Sequence, residues 1–289
     1  MKFRFIFENR GIYGLEKMCK ILEVSRSGYH KYVNRKMSIR KLENIYLLEQ
    51  IKKIHEKSHS IYGSRKIRVE LRAMGINCNR KRISRIMREN GIYSKTKRRF
   101  KVTTKSKHNK PVAENLVNRN FKVEEANKIW VSDITYIWTS QGWLYLAVVL
   151  DLYSRMVVGW SLSQRINCGL VKQAIMQALT NRRVEEGLIF HSDRGSQYAS
   201  KEVVKILEAH KSKQSMSGKG NCYDNSVAES FFHTLKTELI YFASYSTIEE
   251  ARSCIFDYIE IFYNRQRRHS TLNYFSPIEF ENRLIKKVA

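Results

Sequence analysis

The 289-residue sequence holds no apolar run approaching the roughly 20 residues that a membrane-spanning helix needs. Its opening, MKFRFIFENR, also lacks the apolar stretch and cleavage site of a signal peptide. These absences argue against membrane insertion and secretion, so a cytoplasmic chain is expected. Cysteine is sparse: Cys19, Cys78, Cys168, Cys222 and Cys254 are odd in number and scattered, which suits neither a disulfide framework nor a zinc ribbon. His55 and His59 stand one helical turn apart, as two ligands would, yet no paired cysteines follow to complete a tetrahedral site. No internal repeat and no heptad run is present. Acidic residues are few, 27 against 53 Lys and Arg, and the net charge of +26 calls for a polyanionic partner. Each Lys or Arg that meets a phosphate releases condensed counterions, which makes nucleic acid the natural candidate.

What is present divides unevenly. Residues 1–110 carry 31 Lys and Arg against 8 acids, whereas residues 111–289 carry 22 against 19. The front of the chain is built to grip and the rest for another task. With 43% hydrophobic residues the length supports two or three domains with proper cores.

The basic front reads as helices. YGLEKMCKILEVSRSGYHKYV predicts two short ones, the second capped by Ser25, in a helix-turn-helix pattern or a plain packed pair. Farther on, Leu47, Leu48, Ile51 and Ile54 form one amphipathic stripe, and Ile67 and Leu71 form another on a helix with Ser64 as cap. After Gly75, Asn79 is placed to cap a third helix, RKRISRIMREN, ended by Gly91. At about 100° per residue, Ile83, Ile86 and Met87 share one side of it, with Lys81, Arg82, Arg85 and Arg88 nearly opposite. An apolar back and a basic front suit a helix that reads a DNA groove. Residues 93–112, with Lys95, Lys97, Arg98, Arg99, Lys101, Lys105, Lys107 and Lys110, have no apolar period and read as a basic linker.

From Ile129 the period changes to two. KIWVSDITYIW, WLYLAVVLDLYS and MVVGWSLS follow one another with turns between them, an antiparallel meander. Then come a helix near 167–181, the strand GLIFHSD, the helix KEVVKILEAH, the short strand KQSMS, the long helix NSVAESFFHTLKTELI and a last helix over 247–264. This alternation predicts an α/β mixed sheet with helices on its faces.

Three carboxylates occupy places where such a sheet positions chemistry: Asp133 inside the first strand, Asp193 at the end of the fourth, Glu229 in the first turns of the long helix. An Asp in the apolar run IWVSDITYI is costly to bury alone and needs a partner or a cation. Phosphodiester cleavage needs an activated oxygen and a stabilised leaving oxygen, which two cations roughly 3.5–4 Å apart can serve. Carboxylate donors suit Mg²⁺ or Mn²⁺, with Asp133 shared and Asp193 and Glu229 each completing one site. Asp151, after another apolar strand, is expected to hold a turn. On the long helix His233 and Lys236 fall within about 40° of Glu229, while Phe231, Phe232, Leu235 and Leu239 cluster on the other side. Lys236, and His233 beside it, are therefore candidate DNA-phosphate contacts. The loop SGKGNCYDN, with Gly218 and Gly220, is expected to move when DNA enters.

WVSDITYI, FHSDRGSQY and NCYDNSVAESFFHTLKTE, in that order, resemble the DDE transposase and integrase superfamily, with 35 residues between the second and third acids. YNRQRRHSTLNYFSPIEF resembles the closing motif of bacterial insertion-sequence transposases of the orfB type, and the segment around YGSRKI is similar to their helix-turn-helix. The resemblance implies a ribonuclease H-like core and an acid triad of Asp133, Asp193 and Glu229. It also implies metal-dependent cleavage at element ends followed by attack of a 3′-hydroxyl on target DNA, in a bacterial, nucleoid-associated setting. Implied partners are double-stranded DNA, further copies of the chain on it, and an upstream frameshift product. The paired His and Cys of retroviral integrases are missing, and that module is not carried over.

The expected division is a helical leader over 1–40, a helix-turn-helix domain over 41–92, a basic linker over 93–125, a ribonuclease H-like core over 126–245 and a completing helix and tail over 246–289. Two rival functions share the same acids: a metal-dependent endonuclease on this fold, and a noncatalytic DNA-binding relative.

Overall fold

A computed structural model describes residues 1–95, 112–218 and 222–288. The basic run from Lys97 to Lys110, and Gly220 of the glycine loop, lie outside the described residues. Three helices open the chain: α1 (Lys2–Asn9), α2 (Leu15–Ile21) and α3 (Arg26–Val33), packed on Ile6, Met18, Cys19 and Tyr29. Ser25 caps α3 as expected, its hydroxyl accepting the Gly28 N–H at 3.0 Å. Helix α1 escapes the sequence reading because Phe3, Phe5 and Phe7 alternate like a strand, and only Ile6 is buried.

The next unit comprises α4 (Ile39–Lys57), α5 (Ser64–Ala73) and α6 (Arg80–Glu89). The expected stripes are its core: Leu47, Ile51 and Ile54 meet Ile67 and Leu71, and Ile83, Ile86 and Met87 close the stack. The Asn79 side chain accepts the Lys81 N–H at 2.9 Å, and Gly91, at φ +66, stops α6 where a Cβ would be strained. Ser64 does not cap α5. The extended residue before the helix is Gly63, and Ser64 is already helical.

Five strands follow in the predicted order: β1 (Ile129–Thr139), β2 (Gly142–Asp151), β3 (Val157–Ser163), β4 (Ile189–Ser192) and β5 (Lys213–Met216). They form one sheet, β3-β2-β1-β4-β5, antiparallel across the first three and parallel from β1 through β4 to β5, the ribonuclease H-like arrangement. Alternation along β1 sends Trp130 and Ile134 to one face and Val131 and Ile137 to the other. The first face is covered by α7 (Cys168–Asn181) and α8 (Lys201–Ala209). Gly159 permits the close approach of α7, because a Cβ there would stand 2.2 Å from the Ala174 carbonyl oxygen. The other face is covered by α9 (Ser226–Glu238) and α10 (Ile248–Phe256), and its core runs on into that of α4–α6.

The single helix expected over 247–264 is two kinds of helix: α10 passes into π-helical turns over Asp257–Tyr263. The wider turns bring Asn264 to β3, where its side chain accepts the Val157 N–H at 3.0 Å and donates to the Val157 carbonyl at 2.9 Å. Asp151, fully buried, accepts the N–H groups of Asn127 (2.6 Å) and Tyr153 (2.8 Å), the turn role expected of it.

The tail, ending in α11 (Pro277–Val288), fastens the helical unit to the sheet unit. Arg268 donates to both Glu70 carboxylate oxygens, at 2.7 and 3.1 Å, and to Glu279 at 2.8 Å. Tyr62 bonds the Arg268 N–H and the Gln266 carbonyl. Arg267 donates twice to Glu238 of α9, at 2.7 and 2.6 Å, and Lys66 of α5 lies 3.9 Å from the same carboxylate. No helix among the described residues is long and apolar enough to cross a membrane.

Candidate active site

Strand register brings the first two acids together. Parallel pairing of β1 with β4 ends at Ser132 opposite Ser192, and the next residues are Asp133 and Asp193. Both carboxylates therefore stand at the carboxyl end of one parallel strand pair, where open α/β sheets carry their sites. Asp193 accepts the Gly195 N–H at 2.9 Å. A Cβ on Gly195 would come within 2.9 Å of that same Asp193 oxygen and of Gln197 Oε1, so the glycine is needed for the loop to curl under the acid.

Glu229 enters from α9, whose Phe231, Phe232 and Leu235 are buried as the helical projection predicted. The Asn225 amide, at the start of α9, donates to the Ser132 carbonyl at 3.2 Å and ties the helix to the strand one residue before Asp133. Lys236 lies over the Tyr136 ring, 4.8 Å from its centroid.

The electrostatics show that these groups share one field. Burial, with the charges of Asp193 and Glu229 behind it, pushes the Asp133 carboxyl up to about 8, opposed by the Ile134 N–H and by Lys236. Glu229 is solvent-exposed on one side, and partial shielding on the other raises its carboxyl. Lys236 is lowered by partial burial and held up by Asp133. Hard oxygen donors gathered in one field, two of them partly buried, are a donor set short of positive charge, and they fit Mg²⁺ or Mn²⁺. Among the described residues no group of three His, Cys, Asp or Glu is gathered tightly enough to close on one ion.

Several supporting residues lie outside the sequence reading. Tyr198, fully buried, shares a 3.0 Å hydrogen bond with Ser132, whose hydroxyl donates to the Val148 carbonyl at 2.7 Å. Burial and the nearby Asp133 and Asp193 raise its phenol well above the usual range. His191 is buried between Ser215 (2.8 Å) and Ser217 (3.3 Å), and burial lowers it to about 4, so it is neutral. Asp224 is buried and accepts from Asn115, Arg119 and the Gly218 N–H. The available signal was the polar crowding in FHSDRGSQY and NCYDN, which does not say which members face inward.

The remaining predicted contacts are placed elsewhere. Lys81, Arg82, Arg85 and Arg88 belong to α6 and not to the acid site. Lys81 and Arg88 are exposed. Arg82 is held at 2.8 Å by both Asn44 and Glu43 of α4, and Arg85 lies 3.8 Å from Glu89. His233 stays exposed on α9.

Two models of the family "Integrase core domain" match residues 123–222 and 229–285, and a model of an "HTH-like domain" matches residues 41–100. The "Insertion element IS600 uncharacterized 31 kDa protein" of Shigella sonnei is 44% identical over 92% of this chain and 98% of its own length. The "Transposase InsF for insertion sequence IS3A" of Escherichia coli (strain K12) is 39% identical over 98% of this chain and 99% of its own. Among solved structures, the chain aligns with a simian T-cell lymphotropic virus intasome at 15% identity and a TM-score of 0.47, covering 80% of this chain and 74% of that one. It also aligns with the catalytic core of BIV integrase at 18% identity and a TM-score of 0.43, covering 56% and 97%.

Proposed function

The chain belongs to the insertion-sequence transposases with an integrase core, and from that membership we propose that Asp133, Asp193 and Glu229 are its catalytic acids. The observation that carries this reading is the register that ends at Ser132 and Ser192, with Glu229 delivered to the same field by α9. Two Mg²⁺ or Mn²⁺ ions would supply nucleophile activation and charge stabilisation at the leaving oxygen. Asp133, Asp193 and Glu229 would hold the ions between them, their hard carboxylate oxygens being the donors that these cations prefer. The Gly195 N–H fixes the orientation of Asp193, and the Asn225 tie fixes the level of α9 against β1.

In the first reaction a water oxygen attacks the phosphorus at an element end, and the bond to the 3′ oxygen breaks to leave a 3′-hydroxyl and a 5′-phosphate. In the second, that hydroxyl attacks a target phosphodiester, and the target's own 3′ oxygen leaves. No side chain becomes bonded to DNA. Lys236 holds the phosphate beside the acids, with His233 a secondary contact. Lys81 and Arg88, exposed on α6, reach the DNA, while Arg82 and Arg85 have first to exchange their protein partners for it.

The working domain division remains 1–40, 41–92, 93–125, 126–245 and 246–289. The active assembly comprises several copies on double-stranded DNA, with an upstream frameshift product as a further partner. Labelled element-end duplex incubated with Mg²⁺ tests the proposal. Joined products support it, cutting without joining points to an endonuclease, and binding alone points to a noncatalytic relative. Lys236→Ala should lower end binding and joining while leaving metal affinity nearly intact; unchanged joining removes the role given to Lys236.

A further inference from the structure

Beyond Ser132, where β4 stops, β1 runs on toward the hairpin turn paired with β2 along its length. On the face opposite Asp133 this hairpin carries Tyr136, Trp138 and Trp143, with Tyr136 across from Tyr145 and Trp138 across from Trp143. These rings are not core. Tyr136 is 39% exposed, Trp143 46% and Trp138 59%. They hold one another edge-on, Tyr136 to Trp143 at 5.2 Å and Trp138 to Trp143 at 4.9 Å, so their arrangement is set without a covering element. Lys236, from the helix on the other face, spans to the Tyr136 ring and also feels the charge of Asp133, so the platform begins at the acid site.

We propose that the Tyr136, Trp138 and Trp143 face is a stacking platform for unpaired bases at the cleaved DNA end, with Lys236 on the adjoining phosphate. The proposal rests on the strand-cleaving reading above. Three arguments select this occupant. Every base has a π-face, so stacking tolerates any sequence and supplies affinity without readout. Lys236 against the platform suits a phosphate strand, and the +26 chain carries few acids to repel it. A second copy of the chain is a poorer fit: three rings of roughly 150–250 Å² each, at the exposures above, offer about 300 Å², against about 800 Å² per partner in a standard stable interface.

The test uses the full chain in EDTA, so that binding is read apart from chemistry. The probes are a flush duplex and the same duplex with a short single-stranded extension bearing 2-aminopurine. Wild type and Asp133→Asn should both quench the 2-aminopurine and prefer the extended duplex. The double variant Trp138→Ala/Trp143→Ala should bind the extended duplex about tenfold more weakly and the flush duplex unchanged, and Trp138→Phe/Trp143→Phe should restore the preference. An unaltered melting profile checks that the alanine variant folds. Equal preference for extended DNA in the alanine variant overturns the proposal. So does a change in its oligomeric mass with quenching intact, which would assign the face to a second copy. Quenching by a wild-type chain that never cleaves with Mg²⁺ would leave the platform standing and remove the catalytic reading instead.

Discussion

Replacing Asp133 with Asn should stabilise the metal-free protein, although it removes a carboxylate proposed to act in catalysis. In the unfolded chain Asp133 releases its proton near pH 3.9, whereas in the folded protein burial and two neighbouring carboxylates hold it to about 8. The folded state therefore binds the extra proton, and stability falls as pH rises between those two values. Each pH unit in that window withdraws about 1.4 kcal/mol, so at pH 7 the full penalty is roughly 4 kcal/mol. Partial solvent access and sharing of the strain with Asp193 and Glu229 reduce it to about 2–4 kcal/mol. A neutral amide escapes this penalty, so Asp133→Asn in EDTA at pH 7 should melt about 5–10 °C higher than wild type. The gain should shrink to about a third at pH 5. Mg²⁺ should close the gap, raising wild type by about 4.1 kcal/mol at a thousandfold excess over its dissociation constant while leaving the variant unmoved. Differential scanning calorimetry at the two pH values, with and without Mg²⁺, reads all four states. An Asn variant that melts lower than wild type in EDTA at pH 7 would refute the electrostatic account of the site.

Other residues separate support from chemistry. Asp151→Ala removes the buried acceptor of the partly buried Asn127 and Tyr153 N–H groups, so chemical denaturation should show a loss of about 1–3 kcal/mol, with activity per folded molecule unchanged. Arg267→Ala leaves Glu238 buried without its bidentate partner and should cost about 3–5 kcal/mol. The same variant should loosen the α4–α6 unit, read as faster proteolysis in that segment. Gly195→Ala pushes a methyl against the Asp193 carboxylate and should reduce strand cleavage at least about tenfold with little change in melting temperature, since a small misplacement of a catalytic group is costly.

Much of this architecture was legible because hydrophobic period survives folding. The stripes Leu47/Ile51/Ile54, Ile67/Leu71 and Ile83/Ile86/Met87 are the core of α4–α6, and the alternation in IWVSDITYI is the two-faced β1. The acids were legible because a carboxylate is expensive in an apolar strand, and the register then set two of them side by side. Partnership is what a linear pattern does not carry. The basic front of α6 was legible, but not that Arg82 is bonded to Glu43 and Asn44 of α4 or that Arg85 lies 3.8 Å from Glu89. Tyr198 and Asn225 support the site through Ser132, a contact that exists only after β1, α9 and the loop behind Asp193 converge. The π-helical turns depend on where Asn264 must meet Val157, a constraint distant in sequence. Helix α1 hides behind alternating phenylalanines that mostly face solvent.

The central claim is tested most directly by strand joining on labelled element-end DNA with Mg²⁺, comparing wild type with Asp133→Asn, Asp193→Asn and Glu229→Gln. The account predicts joined products from wild type, and from each variant a loss of at least about a hundredfold with end binding retained. Joining that persists in any one of the three variants would contradict it.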